Sequence, residues 1–92
     1  MQVDVYVVDE NERPHENLKV TIHRLEVLGG QYFVSHTDDD GHAQFSDDDL
    51  DAGPAMIYVD DERHTYGPYD LSDGSGYTFQ IDQDDFNVGR YL

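Results

Sequence analysis

The sequence predicts an all-β fold, an antiparallel Greek-key β-sandwich of about seven short strands. Apolar and polar residues alternate with a period of two in several segments, as they do in half-buried strands. Turn-forming residues separate these segments roughly every 8–12 residues, a spacing typical of sandwiches and small barrels. No segment carries an apolar stripe with the 3.6-residue period of an amphipathic helix.

The first three strands are defined by alternation and by the turns between them. The first strand is predicted over residues 2–8, where valines occupy every second position. Residues 9–14 supply turn formers and a proline, and the alternation resumes in a second strand over residues 18–25. Two glycines at 29–30 reverse the chain into an aromatic and β-branched strand over residues 32–37, so these two strands form a hairpin.

The remaining strands follow the same logic. A short fourth strand covers residues 43–45, and an Asp-rich loop covers residues 47–54. A fifth strand follows at 55–59, and a more polar stretch around 63–69 is predicted as a sixth. The alternation of Tyr and Phe with polar residues over 77–81 marks a seventh strand.

One domain is predicted over residues 1–82, because a chain of 92 residues can build only one core. Residues 83–92 show no pattern and are assigned to a C-terminal tail. Inward-facing positions share one parity within each strand. The predicted core is therefore Val5, Val7, Val20, Ile22, Phe45, Ile57, Val59, Phe79 and Ile81.

The charge balance is strongly acidic, with 21 Asp and Glu against five Lys and Arg and a net charge of -16. Near 1 M salt the screening length falls to about 3 Å, so the mutual repulsion of these charges largely disappears. The composition therefore indicates a protein adapted to high salt. A negative surface repels phosphate backbones and anionic lipids, which argues against nucleic-acid and membrane partners.

There is no cysteine, so neither disulfides nor thiolate metal clusters can support the fold. The N-terminal residues lack a basic segment followed by a long apolar run, so neither a signal peptide nor a membrane span is predicted. The expected compartment is the cytoplasm.

Several segments together resemble the carboxypeptidase regulatory-like and transthyretin-like seven-stranded sandwiches. The matching pieces are the Asp and Pro at Asp9 and Pro14, the turn at 37–41 with sequence Thr-Asp-Asp-Asp-Gly, and the core positions that flank that turn. The order and spacing agree over about residues 1–82. The resemblance implies a non-catalytic accessory or adhesion-type module. The C-terminal Tyr-Arg-Gly-Ser motif of the related hydroxyisourate hydrolases is missing, so their activity is not implied.

Acidic loops are candidates for a cation site. Asp38, Asp39 and Asp40 cluster at one turn, Asp47 begins a second acidic run, and both runs flank the same short strand. Calcium takes six to eight oxygen ligands, which carboxylates gathered on loops can supply. Calcium binding is thus the alternative function. The simpler interpretation is that Asp-rich loops are a solvated surface, since similar pairs recur elsewhere in the chain.

Nothing in the sequence favours an enzyme. The serines lack a nucleophile-elbow setting, there is no cysteine nucleophile, and no phosphate-binding glycine motif is present. No catalytic residue and no resident cofactor are therefore predicted. Abundant carboxylates carry no information about acid–base catalysis in a chain this acidic.

Tyrosine is the residue type that points to contact with a protein partner or with a second copy. Tyr6 and Tyr58 lie out of phase with the apolar series on their strands and should face outward. Tyrosine offers large amphipathic surfaces and is enriched at interfaces, although it is also a common strand former. The predicted function is a non-catalytic interaction or structural module, with Tyr6 and Tyr58 as the candidate contact residues.

Overall fold

The computed structural model describes residues 1–27 and 29–82, which form seven strands and one short 3₁₀ turn. The strands are β1 (Val3–Val8), β2 (Lys19–Glu26), β3 (Gly29–His36), β4 (His42–Phe45), β5 (Gly53–Val59), β6 (His64–Leu71) and β7 (Ser75–Gln80), and the 3₁₀ turn covers Asp61–Arg63. The predicted tail, residues 83–92, lies outside the described residues. Among the described residues, no helix is long and apolar enough to cross a membrane.

The strands form two sheets, one with the order β4-β1-β7 and one with the order β3-β2-β5-β6. The predicted fold class, a β-sandwich of seven strands, is confirmed. The β2–β3 and β5–β6 hairpins lie side by side in the four-stranded sheet through the β2–β5 pairing. The β1–β7 pair is parallel, whereas the β1–β4 pair is antiparallel.

The core lies between the two sheets and is built from the predicted parity. All nine predicted core side chains are buried, so the register inferred from the alternation is correct. Burial of an aliphatic side chain of this size contributes about 1.5–3 kcal/mol, which makes this layer the main source of stability in a chain without disulfides. Among the residues that the structure describes, the other buried apolar side chains are Val3, Ala43, Leu50, Ala55 and Leu71.

One charged side chain shares the core-facing side of β2. Arg24 is buried, and its guanidinium donates hydrogen bonds to the main-chain carbonyls of Leu25, Asp51 and Pro54. Two of these carbonyls belong to the segment of residues 51–54, which comprises the last loop residues before β5 and the first residues of β5. Arg24 therefore fastens that segment to the end of the four-stranded sheet.

The turn between β3 and β4 has the geometry that its sequence predicts. Gly41 has a φ of 74°, and its N–H donates to the carbonyl of Asp38 at 3.0 Å. A Cβ on Gly41 would lie 2.6 Å from the carbonyl oxygen of Val7, so a side chain cannot fit without displacement of β1.

The sixth strand was predicted to include Arg63, and the structure corrects this boundary. Arg63 belongs to the 3₁₀ turn, and β6 begins at His64. Asp60, which precedes the turn, and Asp61, its first residue, both have positive φ, and Asp tolerates this conformation better than most residues do. The strand alternation cannot continue through this reversal.

Candidate functional site

The outer face of the four-stranded sheet gathers aromatic and apolar side chains. Cross-strand pairing places Thr21 of β2 between Val34 of β3 and Tyr58 of β5. The same pairing places His23 of β2 opposite Tyr32 of β3. Because residues two apart in a strand share a face, these five side chains all lie on the side of the sheet that faces away from the core.

β3 is one of the two edge strands of this sheet and carries no Asp, Glu, Lys or Arg in its eight residues, whereas the other edge strand, β6, contains Asp70. Tyr32 is 61% exposed and Val34 is 53% exposed. The edge strands β4 and β7 are also free of charge, but they have four and six residues and contribute no exposed large apolar side chain. β3 is therefore the longest uncharged edge in the described part of the chain.

Shallow grooves run along the other side of β3, where its edge approaches β4. One groove of about 380 Å³ is lined by Tyr32, Phe33, Val34, Phe45, Ser46 and Asp47. A second groove, of about 340 Å³, shares Tyr32, Phe33 and Asp47 with the first and is also lined by Gln31 and Asp49. Concave surface thus continues from the exposed edge toward the acidic loop after β4.

Histidine and tyrosine rings interlock on the outer face. The His23 ring stacks on the Tyr32 ring with a centroid separation of 4.2 Å and an interplanar angle of 13°. The hydroxyl of Tyr58 lies 2.9 Å from Nδ1 of His23, within hydrogen-bond distance. Gly30 is required below this cluster, since a Cβ there would lie 2.5 Å from the main-chain carbonyl oxygen of Arg24 and 2.6 Å from Nε2 of His23.

Tyr58 also lines a cleft of about 330 Å³ on this face. The other lining residues are Lys19, Thr21, Tyr32, Asp61 and Glu62. Partial desolvation raises the pKa of the Tyr58 hydroxyl, and the nearby charges of Tyr32 and Glu62 raise it further. The lining contains two carboxylates, Asp61 and Glu62, and one ammonium group, Lys19, so the cleft carries a net negative charge between aromatic walls.

Tyr6, the second predicted contact residue, lies on the other sheet. It is 40% exposed and stacks on the His42 ring with a centroid separation of 4.6 Å. Nε2 of His42 lies 2.7 Å from a carboxylate oxygen of Asp4. Tyr6 and Tyr58 both face outward, as predicted, but they lie on opposite outer faces of the sandwich and cannot belong to one flat interface.

The acidic loops are only partly brought together. The carboxylates of Asp38, Asp39 and Asp40 can approach within 4.8 Å of one another, and all three residues are exposed. Within the described ranges, Asp47 does not join this group, because it follows the opposite end of β4.

Both predicted acidic runs contain an aspartate that already serves its own turn. Oδ1 of Asp38 accepts hydrogen bonds from the N–H groups of Asp40 and His42, and Oδ1 of Asp47 accepts one from Asp49. Main-chain N–H groups, first from His42 and then from Asp40, lower the pKa of Asp38. These bonds explain the aspartates as turn formers without any bound cation.

Sequence reasoning did not identify Tyr32 and Val34 as site residues. Both were seen only as strand formers, because nothing in the linear pattern shows that β3 is an edge.

Compared with known proteins, the chain matches no family model, and no curated protein is significantly similar to it.

Proposed function

We propose that this domain is a non-catalytic interaction module that docks a protein partner on β3. One observation carries the proposal: the longest uncharged edge in the described chain also exposes two of its large apolar side chains, Tyr32 and Val34. Sheet edges pair readily with other strands, and proteins usually protect them with charge. An edge left without charge in a chain of net charge -16 is suited to a contact.

The partner contact is expected to work in high salt. The many exposed acidic residues support adaptation to molar salt, where long-range charge attraction is screened. Apolar contact and main-chain pairing keep their strength under those conditions, and β3 with its adjoining grooves offers both. The resemblance to carboxypeptidase regulatory-like domains agrees with an accessory role of this kind.

The test is partner retention at about 2 M KCl by the parent and by three variants. Val34→Ser removes an apolar group from the docking strand without adding charge, and we expect a loss of affinity of about tenfold. Val27→Ser is the matched control, because Val27 is fully exposed in the turn before β3. Tyr6→Ala examines the other sheet.

Two outcomes separate the surfaces. Loss of the partner, or of a self-associated state measured by light scattering, with Val34→Ser but not with Val27→Ser supports docking on β3. Loss with Tyr6→Ala alone would place the interface on the three-stranded sheet and contradict the proposal.

A second candidate function is cation binding at the turn of Asp38, Asp39 and Asp40, which the proximity of their carboxylates favours. Calcium that binds the native state must raise the melting temperature at constant KCl. A rise at millimolar calcium that disappears with Asp39→Asn would support it, with Asp48→Asn as the control from the other acidic run. Equal melting curves with calcium and with chelator would reject it.

A further inference from the structure

The cleft on the outer face has two aromatic walls and a fixed geometry. Tyr32 and Tyr58 stand on the strands that flank β2, and Thr21 lies on β2 between them. His23 holds both rings, one by stacking at 4.2 Å and one through a hydrogen bond at 2.9 Å. The walls are thus in position before any ligand arrives, which reduces the entropy lost on binding.

The charges around the cleft do not cancel. Nζ of Lys19 lies 2.8 Å from Oδ1 of Asp61, so this pair is neutral as a unit. Glu62 makes no ion pair with any residue of the described ranges. One carboxylate therefore remains uncompensated beside two tyrosine rings.

Carboxylates and aromatic faces attract the same type of group. The face of an aromatic ring carries negative potential and binds an ammonium or guanidinium group within about 6 Å of its centre. An anionic ligand would be repelled by Glu62. A hard metal ion would need six or more oxygen ligands, whereas this cleft is lined by only two carboxylates, one of which, Asp61, is already paired with Lys19.

We propose that the cleft between Tyr32 and Tyr58 binds the side-chain cation of a lysine or arginine presented by the protein partner. The inference rests on the proposed docking of a partner at β3 and specifies the chemistry of that partner. A volume of about 330 Å³ is at the lower limit of small-molecule sites and suits a single side chain. Val34 pairs with Thr21 and lies directly beside the cleft, where it can contact the rest of the partner.

The binding test uses blocked single amino acids and amide chemical shifts of the intact chain at constant molar KCl. The probes are N-acetyl-lysine methylamide, its arginine counterpart, its uncharged norleucine counterpart, and methylammonium chloride. We expect at least one basic probe to shift the amide signals of Thr21, Tyr58 and Glu62 in a saturable manner. Norleucine, which has nearly the shape of lysine without its charge, should bind about tenfold more weakly.

Variants assign the effect to the cleft. Glu62→Gln removes the uncompensated charge and should weaken binding of the basic probe, whereas Glu16→Gln, an exposed matched control, should not. Tyr58→Leu removes one aromatic wall and should weaken binding, while Tyr58→Phe keeps the ring and should retain it. A dispersed amide spectrum for each variant establishes that it is folded.

The outcomes distinguish this inference from the proposed function. Affinities of both basic probes that do not exceed that of the norleucine probe, or equal effects of Glu62→Gln and Glu16→Gln, would overturn the cation site. Either result would leave docking on β3 to be decided by the comparison of Val34→Ser with Val27→Ser. Methylammonium binding as tight as that of the basic probes would assign the cleft to free small cations and overturn its assignment to a partner side chain.

Discussion

Replacement of Arg24 by Met should destabilise the domain far more than an exposed Arg→Met change. Arg24 is buried on the core-facing side of β2, and three main-chain carbonyls accept hydrogen bonds from its guanidinium. Met retains the apolar length of the side chain and removes all three donors. The carbonyl of Asp51, in the loop before β5, and that of Pro54, at the start of β5, then lose their link to β2.

The magnitude follows from these bonds. A hydrogen bond that involves a charged group contributes about 1.5–3 kcal/mol, and an abandoned buried acceptor costs about 1–3 kcal/mol. Water can reach part of the segment at residues 51–54 and satisfy some of the carbonyls, because several of its residues are exposed. The Met side chain also gains from its burial. We therefore expect a net loss of about 2–4 kcal/mol, a large share of the stability of a domain this small.

The assay is urea unfolding at about 2 M KCl, followed by circular dichroism. Arg13→Met is the matched control, because Arg13 is exposed and its loss changes the net charge by the same amount. Arg24→Lys keeps the charge but cannot reach all three carbonyls, so its stability should lie between those of the parent and Arg24→Met. Unfolding free energies for Arg24→Met and Arg13→Met that agree within about 0.5 kcal/mol would refute this account of the buried guanidinium.

Three further outcomes are expected. The melting temperature should rise as KCl increases from about 0.1 to 2 M, because a net charge of -16 is progressively screened, and a constant midpoint would remove the salt argument. Because the pKa of Asp38 is lowered in the folded state, its ionised carboxylate stabilises the fold above the ordinary Asp pKa, and this contribution is lost as the pH falls through the folded pKa. The difference in unfolding free energy between the parent and Asp38→Asn should therefore shrink from about pH 5 to pH 2. A difference that does not change with pH would contradict this account of Asp38. In urea unfolding, Gly41→Ala should lower the unfolding free energy by about 1–3 kcal/mol more than Gly74→Ala does. Both glycines have positive φ, but only at Gly41 would the added Cβ lie 2.6 Å from a carbonyl oxygen. Equal losses for the two variants would exclude the steric explanation.

The strands and core could be predicted because their signal is local. The alternation around Val5 and Ile57 depends only on which side of its own strand each residue occupies, and both are fully buried. The same holds for the outward orientation of Tyr6 and Tyr58. The prediction that the sixth strand begins at Arg63 was wrong, because Arg63 belongs to a short 3₁₀ turn. Asp60 and Asp61 have positive φ at this turn, and the sequence pattern does not reveal that interruption.

The candidate site was harder to predict because it depends on sheet order. Tyr32 and Val34 become an exposed edge only because β3 pairs with β2 and none of the other described strands pairs with its far side. The role of Arg24 depends on carbonyls about 27–30 residues away in the chain, so its place on the core side of β2 carries no visible signal. The aromatic cleft requires side chains from three strands and one turn to meet, and no spacing rule in one sequence encodes that meeting.

The pairing of β1 has a consequence for biosynthesis. β1 is hydrogen-bonded on one side to β4 and on the other to β7, and both partners follow it in the chain. A ribosome adds about 5–20 residues per second, so the 72 residues from Val8 to Gln80 require about 4–14 s of translation. The hairpin of β2 and β3 can form long before that interval ends, whereas the three valines on the inner side of β1 have no complete sheet to join. The three-stranded sheet can therefore be completed only after β7 has been synthesised, and until then the inner side of β1 lacks one of its two strand neighbours.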